Sequence, residues 1–103
     1  KLETAIYLHW RRQREDLGYI GGVREIDLVV NPEHPELLIN VAAHINHPEG
    51  YEREIGGLRW AAEQMPRVRR TLIVQELPAR NLPKDMEVIE AWRYLLSAPV
   101  AGN

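Results

Sequence analysis

Cysteine is absent from this 103-residue chain, which excludes disulfide stapling and thiol chemistry and is compatible with a reducing compartment. No apolar run approaches the roughly 20 residues of a membrane-spanning helix, and residues 1–15 carry no signal-peptide pattern. A cytoplasmic protein without membrane contact is therefore expected. An excess of one charge is also missing. Thirteen basic and fifteen acidic residues leave a formal charge of −2, so nothing draws the whole molecule toward phosphate backbones or anionic lipid. Internal repeats and low-complexity stretches are not found. What is present, 45% hydrophobic and 27% charged residues, suits one soluble globular domain spanning 1–103.

The order of elements follows from periodicity. Leu2 to Arg14 contains good helix formers and no Gly or Pro, with Ala5, Ile6, His9 and Trp10 on one stripe. Gly21-Gly22 separates two apolar runs, 17–20 and 24–30, and predicts an antiparallel hairpin. NPEHPE at 31–36 breaks the pattern before a third strand at 37–43. A helix follows over 50–65, with Tyr51, Ile55, Leu58, Ala62 and Met65 in helical spacing and Pro66 beyond its end. Gly56-Gly57 inside it costs about 1 kcal/mol per glycine relative to alanine, which implies close approach to a sheet. A fourth strand lies near 70–76, then a loop at 78–85, a short extended piece at EVIEAW and a helical turn or two at RYLLS. A helical crossover after a three-stranded meander places the fourth strand parallel to the third.

Four pieces in this order resemble one family. LETAIYLHWRR is similar to its first core helix with Glu3 as the acidic position, and REIDLVV to the strand motif that carries a metal-binding aspartate, here Asp27. YEREIGGLRWAAEQ resembles the helix after the third strand, and VIEAWRYLLS the closing segment. The chain thus resembles the C-terminal, restriction-endonuclease-like domain, of the PD-(D/E)XK type, found in prokaryotic AAA-type ATPases. The resemblance implies an α/β fold with an α-β-β-β-α-β core, a mixed four-to-five-stranded sheet flanked by helices, and a C-terminal position in a larger ATPase. A start inside a helical pattern at Lys1 agrees with a fragment. No G-x-x-x-x-G-K-S/T loop occurs, so ATP and its Mg²⁺ are expected in the remainder of such an ATPase, and no cofactor in this domain.

In that family two carboxylates hold a divalent metal against the scissile phosphate, and a lysine two residues beyond the second acid helps orient water. Spacing of two keeps both side chains on one strand face. Here the acid position is Asn40 and the lysine position Ala42. An amide brings no charge to a divalent ion, and alanine supplies no cation, which removes several kcal/mol of transition-state stabilisation at order of magnitude. The remnant site is Glu3, Asp27, Asn40 and Ala42, with no catalytic residue and no bound metal expected. A relocated metal cluster of Asp27, His44 and His47 is the weaker reading of AHINHPE. The stronger has His44 ending a strand and His47 closing a loop.

Ordinary readings stand beside these. Glu3 and Tyr7 lie one turn apart and are expected to face Asp27, which persists by bonding a neighbour such as Asn40 or Tyr7. Trp60 and Trp92 are read as core or interface wedges, and His9 and His34 as packing or surface residues. The clusters Arg11, Arg12, Arg14 and Arg67, Arg69, Arg70 are read as solvated faces. The expected function is a non-catalytic accessory module contacting its own ATPase domain or another protein, with the oligomeric state left open. The alternatives are a nuclease taking Mg²⁺ or Mn²⁺ on Glu3, Asp27 and Asn40 with a displaced cation such as Arg53, or a module that binds DNA without cutting it.

Overall fold

The computed structural model describes residues 1–43, 48–77 and 82–97. A five-stranded mixed sheet in the order β1-β2-β3-β4-β5 lies between helices on its two faces. Its elements are α1 (Leu2–Arg11), β1 (Leu17–Ile20), β2 (Ile26–Val30), β3 (Leu37–Ala42), α2 (Pro48–Gln64), β4 (Arg69–Val74), β5 (Glu87–Glu90) and α3 (Ala91–Leu96). β1, β2 and β3 form an antiparallel meander. After the α2 crossover, β4 runs parallel to β3 and β5 parallel to β4. The parallel fourth strand matches expectation, and β5 adds one more to the sheet.

β3 is buried along its whole length because both faces of the central sheet are covered. Leu37, Ile39 and Val41 face α1 and α3, where they meet Ile6, Trp10, Ile73 and Tyr94. Leu38 and Ala42 face α2, where they meet Ile55, Leu58, Ala61 and Leu72. These are two apolar layers, one per face.

Several boundaries differ from those read in the sequence. α1 ends at Arg11 rather than Arg14, because Trp10 O takes the Gln13 and Arg14 amides in a closing turn. Arg14 then reaches outward to both Asp16 and Glu36, and Asn31 Nδ2 donates to Glu36 as well. Asn31 has φ 61°, a left-handed conformation that asparagine tolerates, at the turn leaving β2. Arg14 is therefore not part of a solvated cationic face, and Arg11 pairs with Glu15. α2 begins at Pro48, where a missing N–H costs nothing in a first helical turn. AWRYLL is helical throughout, so Trp92 leaves the extended piece for α3 and is 54% exposed, with the Arg93 guanidinium over its ring. It is no core wedge, whereas Trp60 packs partly against the α2-side core. The described part of the loop before β5 is held by Arg59 on α2, which bonds Asp85.

Candidate functional site

At the start of β2 the sheet opens. Leu17 and Gly18 pair with Val30 and Val29, but Ile20 pairs with Ile26, so β2 carries one residue more than β1 over the same stretch. The bulge turns Ile26 and Val29, three apart, toward the same α2-side core. The β2–β3 ladder runs only as far as Leu28 opposite Ile39. Beyond it, side chains take over the ladder's bonds. The Asp27 N–H donates to Asn40 Oδ1 (2.8 Å), and the Val41 N–H donates to Asp27 Oδ2 (2.8 Å).

Asn40 does more than close this gap. Its Nδ2 donates to the Glu25 carbonyl at 3.0 Å and to the Glu54 carbonyl of α2 at 2.9 Å. The side chain is fully buried, with its oxygen and both amide hydrogens engaged, and it ties β2, β3 and α2 together. Gly57 makes this approach possible. A Cβ there would run into the Glu25 carbonyl and the Asn40 amide, whereas one at Gly56 would meet only an arginine end at ordinary contact distance. The close approach read from Gly56-Gly57 therefore belongs to Gly57.

A cavity of about 390 Å³ lies beside this junction, lined by Glu3, Glu25, Asp27, Val41, Ala42, Ala43, Gly50, Tyr51, Arg53 and Glu54. Of the four residues expected from the sequence to form a remnant site, Glu3, Asp27 and Ala42 meet at this wall. Asn40 does not line it, because its amide is turned into the brace. Asp27 is half-buried and bonds Asn40, but through its backbone N–H; its carboxylate bonds the Val41 amide and the Glu54 carboxyl, and not Tyr7. Tyr7 is 43% exposed and does not line the cavity. The Tyr51 hydroxyl is buried with no partner among the described residues. His44 and His47 lie outside the described residues.

Glu54 is the residue that sequence reasoning missed. It sits on α2 three residues after Tyr51 and four before Leu58, on the stripe that packs against the sheet. An acid at a core-facing helical position was the available signal. Burial first, then the Asp27 charge and a hydrogen bond to Asp27, push the Glu54 carboxyl up to about 8. Asp27 is itself raised by burial, partly offset by the bonds from Val41 and Glu54, and Glu3 is raised by burial and by the Asp27 charge. At neutral pH Glu54 thus carries a proton and donates it in a bond to the Asp27 carboxylate.

This donor set does not suit a divalent ion. Asp27 is engaged by an amide and by Glu54, Asn40 by three backbone groups, and among the described residues no three acidic or histidine side chains converge on a point. Comparison with protein-family models, with curated proteins and with solved structures finds no match.

Proposed function

We propose that this chain is a restriction-endonuclease-like domain without nuclease chemistry, serving as an accessory interaction module at the C-terminus of an AAA-type ATPase. The element order, the meander and the parallel crossover to β4 support the fold. The observation that carries the loss of chemistry is the brace at Asn40. Two carbonyl oxygens, of Glu25 and Glu54, converge on its Nδ2. A carboxylate has no hydrogen to give them, so the position that the family assigns to an acid here requires an amide. Ala42, at the lysine position, is buried in the α2-side core. The carboxyls lining the cavity repel phosphates, which favours a protein partner, the ATPase domain of the same polypeptide first, over DNA.

The test is incubation of the purified chain with supercoiled plasmid and Mg²⁺ or Mn²⁺, together with calorimetric titration of each cation. The plasmid is expected to stay intact, with no cation uptake that depends on Asp27. A salt-insensitive gel mobility would agree, since phosphate contacts weaken steeply with salt. The ATPase half predicts a Walker motif in the coding sequence ahead of Lys1, and its absence there would remove that half.

One observation favours a second reading, a metal-dependent nuclease with a relocated acid. Glu54 stands beside Asp27, and Glu3 and Arg53 line the same cavity. Nicking of plasmid that needs Mn²⁺ and disappears in both Asp27→Asn and Glu54→Gln would establish it in place of the first.

A further inference from the structure

α3 is six residues long and buries only Ala91 and Tyr94. Tyr94 is its main anchor on α1, and it meets two consecutive α1 residues. The Trp10 indole N–H donates to the Tyr94 hydroxyl at 3.0 Å, and the His9 ring lies against the Tyr94 ring with centroids 5.7 Å apart. His9 is 7% exposed, and its Nε2 has no hydrogen-bond partner among the described residues. Just past α3, the Ser97 backbone lies near enough to act on the same imidazole, while the Ser97 hydroxyl and amide both close back onto the Tyr94 carbonyl.

A neutral imidazole suits this place. It has one N–H, which the Ser97 carbonyl can accept, and a buried lone pair on Nε2 that tolerates the lack of a partner. Protonation changes that balance. It adds a second N–H with no acceptor and a full charge at a buried site, and an unpaired buried charge is among the most costly groups a fold can hold.

Among the described residues no acidic side chain acts on His9 to offset that charge. On α1 the group acting on His9 is Arg12, of like sign. On α3 the Arg93 guanidinium is over Trp92, and the Tyr94 hydroxyl accepts from Trp10. The sheet beneath offers Leu28, Val30, Ile39 and Ile73, while Glu87 of β5 and Arg69 of β4 act on Tyr94.

We propose that α3 is an acid-released latch, docked on α1 while His9 is neutral and freed when His9 takes up a proton. Burial and Arg12 both lower the affinity of this imidazole for a proton, and the Ser97 backbone acts the other way. The sign follows. A group whose folded pKa lies below its ordinary value near 6.5 contributes stability that is present above that value and is lost as the pH falls through and below it. Release exposes the Tyr94 side of α1 to water and relieves the orphaned N–H, while α2, β3 and β4 keep their own core on the opposite face. The unit that opens is local, a short helix with few buried residues.

Hydrogen–deuterium exchange of the 103-residue chain, near pH 7.5 and near pH 5 and corrected for intrinsic rates, tests this. Amides of 91–97 are expected to lose protection at the lower pH by about tenfold or more relative to β3 and β4. His9→Phe keeps a ring against Tyr94 without a titrating group, and its α3 protection is expected to be equal at both pH values. In the unaltered chain, NMR should place the His9 titration below 6.5, in step with shifts of the Trp10 indole and Tyr94 ring. Full protection of α3 near pH 5, persistence of the loss in His9→Phe, or a His9 midpoint at or above 6.5 would overturn the latch.

Discussion

Asn40 shows how much a single side chain can decide. It is uncharged, fully buried and bonded through its oxygen and both amide hydrogens. Asn40→Asp has nearly the same shape, yet it sets a buried negative charge against two carbonyl oxygens. A loss of about 3 kcal/mol or more is expected, because a buried charged group without its bonds costs more than a neutral one. A shift of the urea midpoint measures it, and an unchanged midpoint would mean that the brace contributes little. Gly57→Ala tests the same joint from the helix side. The added methyl meets the Glu25 carbonyl, part of the backbone and unable to swing away. About 2 kcal/mol of destabilisation is expected, as for an overpacked core, whereas Gly56→Ala should be neutral or slightly stabilising through helix propensity.

At the scale of elements, the end of the β2–β3 ladder carries the next prediction. From sequence alone, Asp27→Leu reads as tolerated if the aspartate is a half-buried remnant. The structure reverses that expectation, because an aliphatic side chain at this position would leave the buried Val41 N–H without an acceptor. The loss should be about 2 kcal/mol, the cost of an orphaned donor. Asp27→Asn keeps an oxygen that can accept from Val41 and should lose less than Asp27→Leu, which gives up the bonds from both Val41 and Glu54, a difference read by thermal melting.

The hairpin and the parallel crossover were legible, since Gly21-Gly22 and the α2 stripe carry local signals. The bulge in β2 was not. Both faces of the sheet are covered, so IDLVV is apolar on either side and a one-residue slip leaves no mark in its pattern. The early end of α1 was hidden for another reason: Arg14 is a good helix former, and it leaves the helix to pair with Asp16 and the distant Glu36. Glu54 could have been found, but its stripe was scored by its apolar members alone.

For the whole molecule, a buried histidine and a half-buried glutamate on opposite faces of the sheet work against each other. Glu54 has a folded value near 8 against an ordinary 4.5, so folding retains a proton that the unfolded chain has released. Its stabilising contribution is complete below about pH 4.5 and is lost as the pH rises through about 8. His9 acts in the other direction, its contribution fading below 6.5. The thermal midpoint should therefore fall as the pH rises from about 6.5 toward 8 and change less just below 6.5, where the two groups oppose each other. Glu54→Gln should flatten that alkaline decline and uncover the loss below 6.5 that His9 causes, as read by melting curves across the range. An alkaline decline that survives this change would assign it elsewhere.

The brace has a consequence for anyone wishing to install cleavage in this scaffold. Placing there the acid and lysine of the proposed family, with Asn40→Glu and Ala42→Lys, sets an acid where two carbonyls demand hydrogens and a long amine where Ala42 packs under α2. The double variant should come out as a damaged fold rather than an enzyme. A donor set for Mg²⁺ has to be designed around the helix, outward from Asp27 and Glu54, and the strand left as it is.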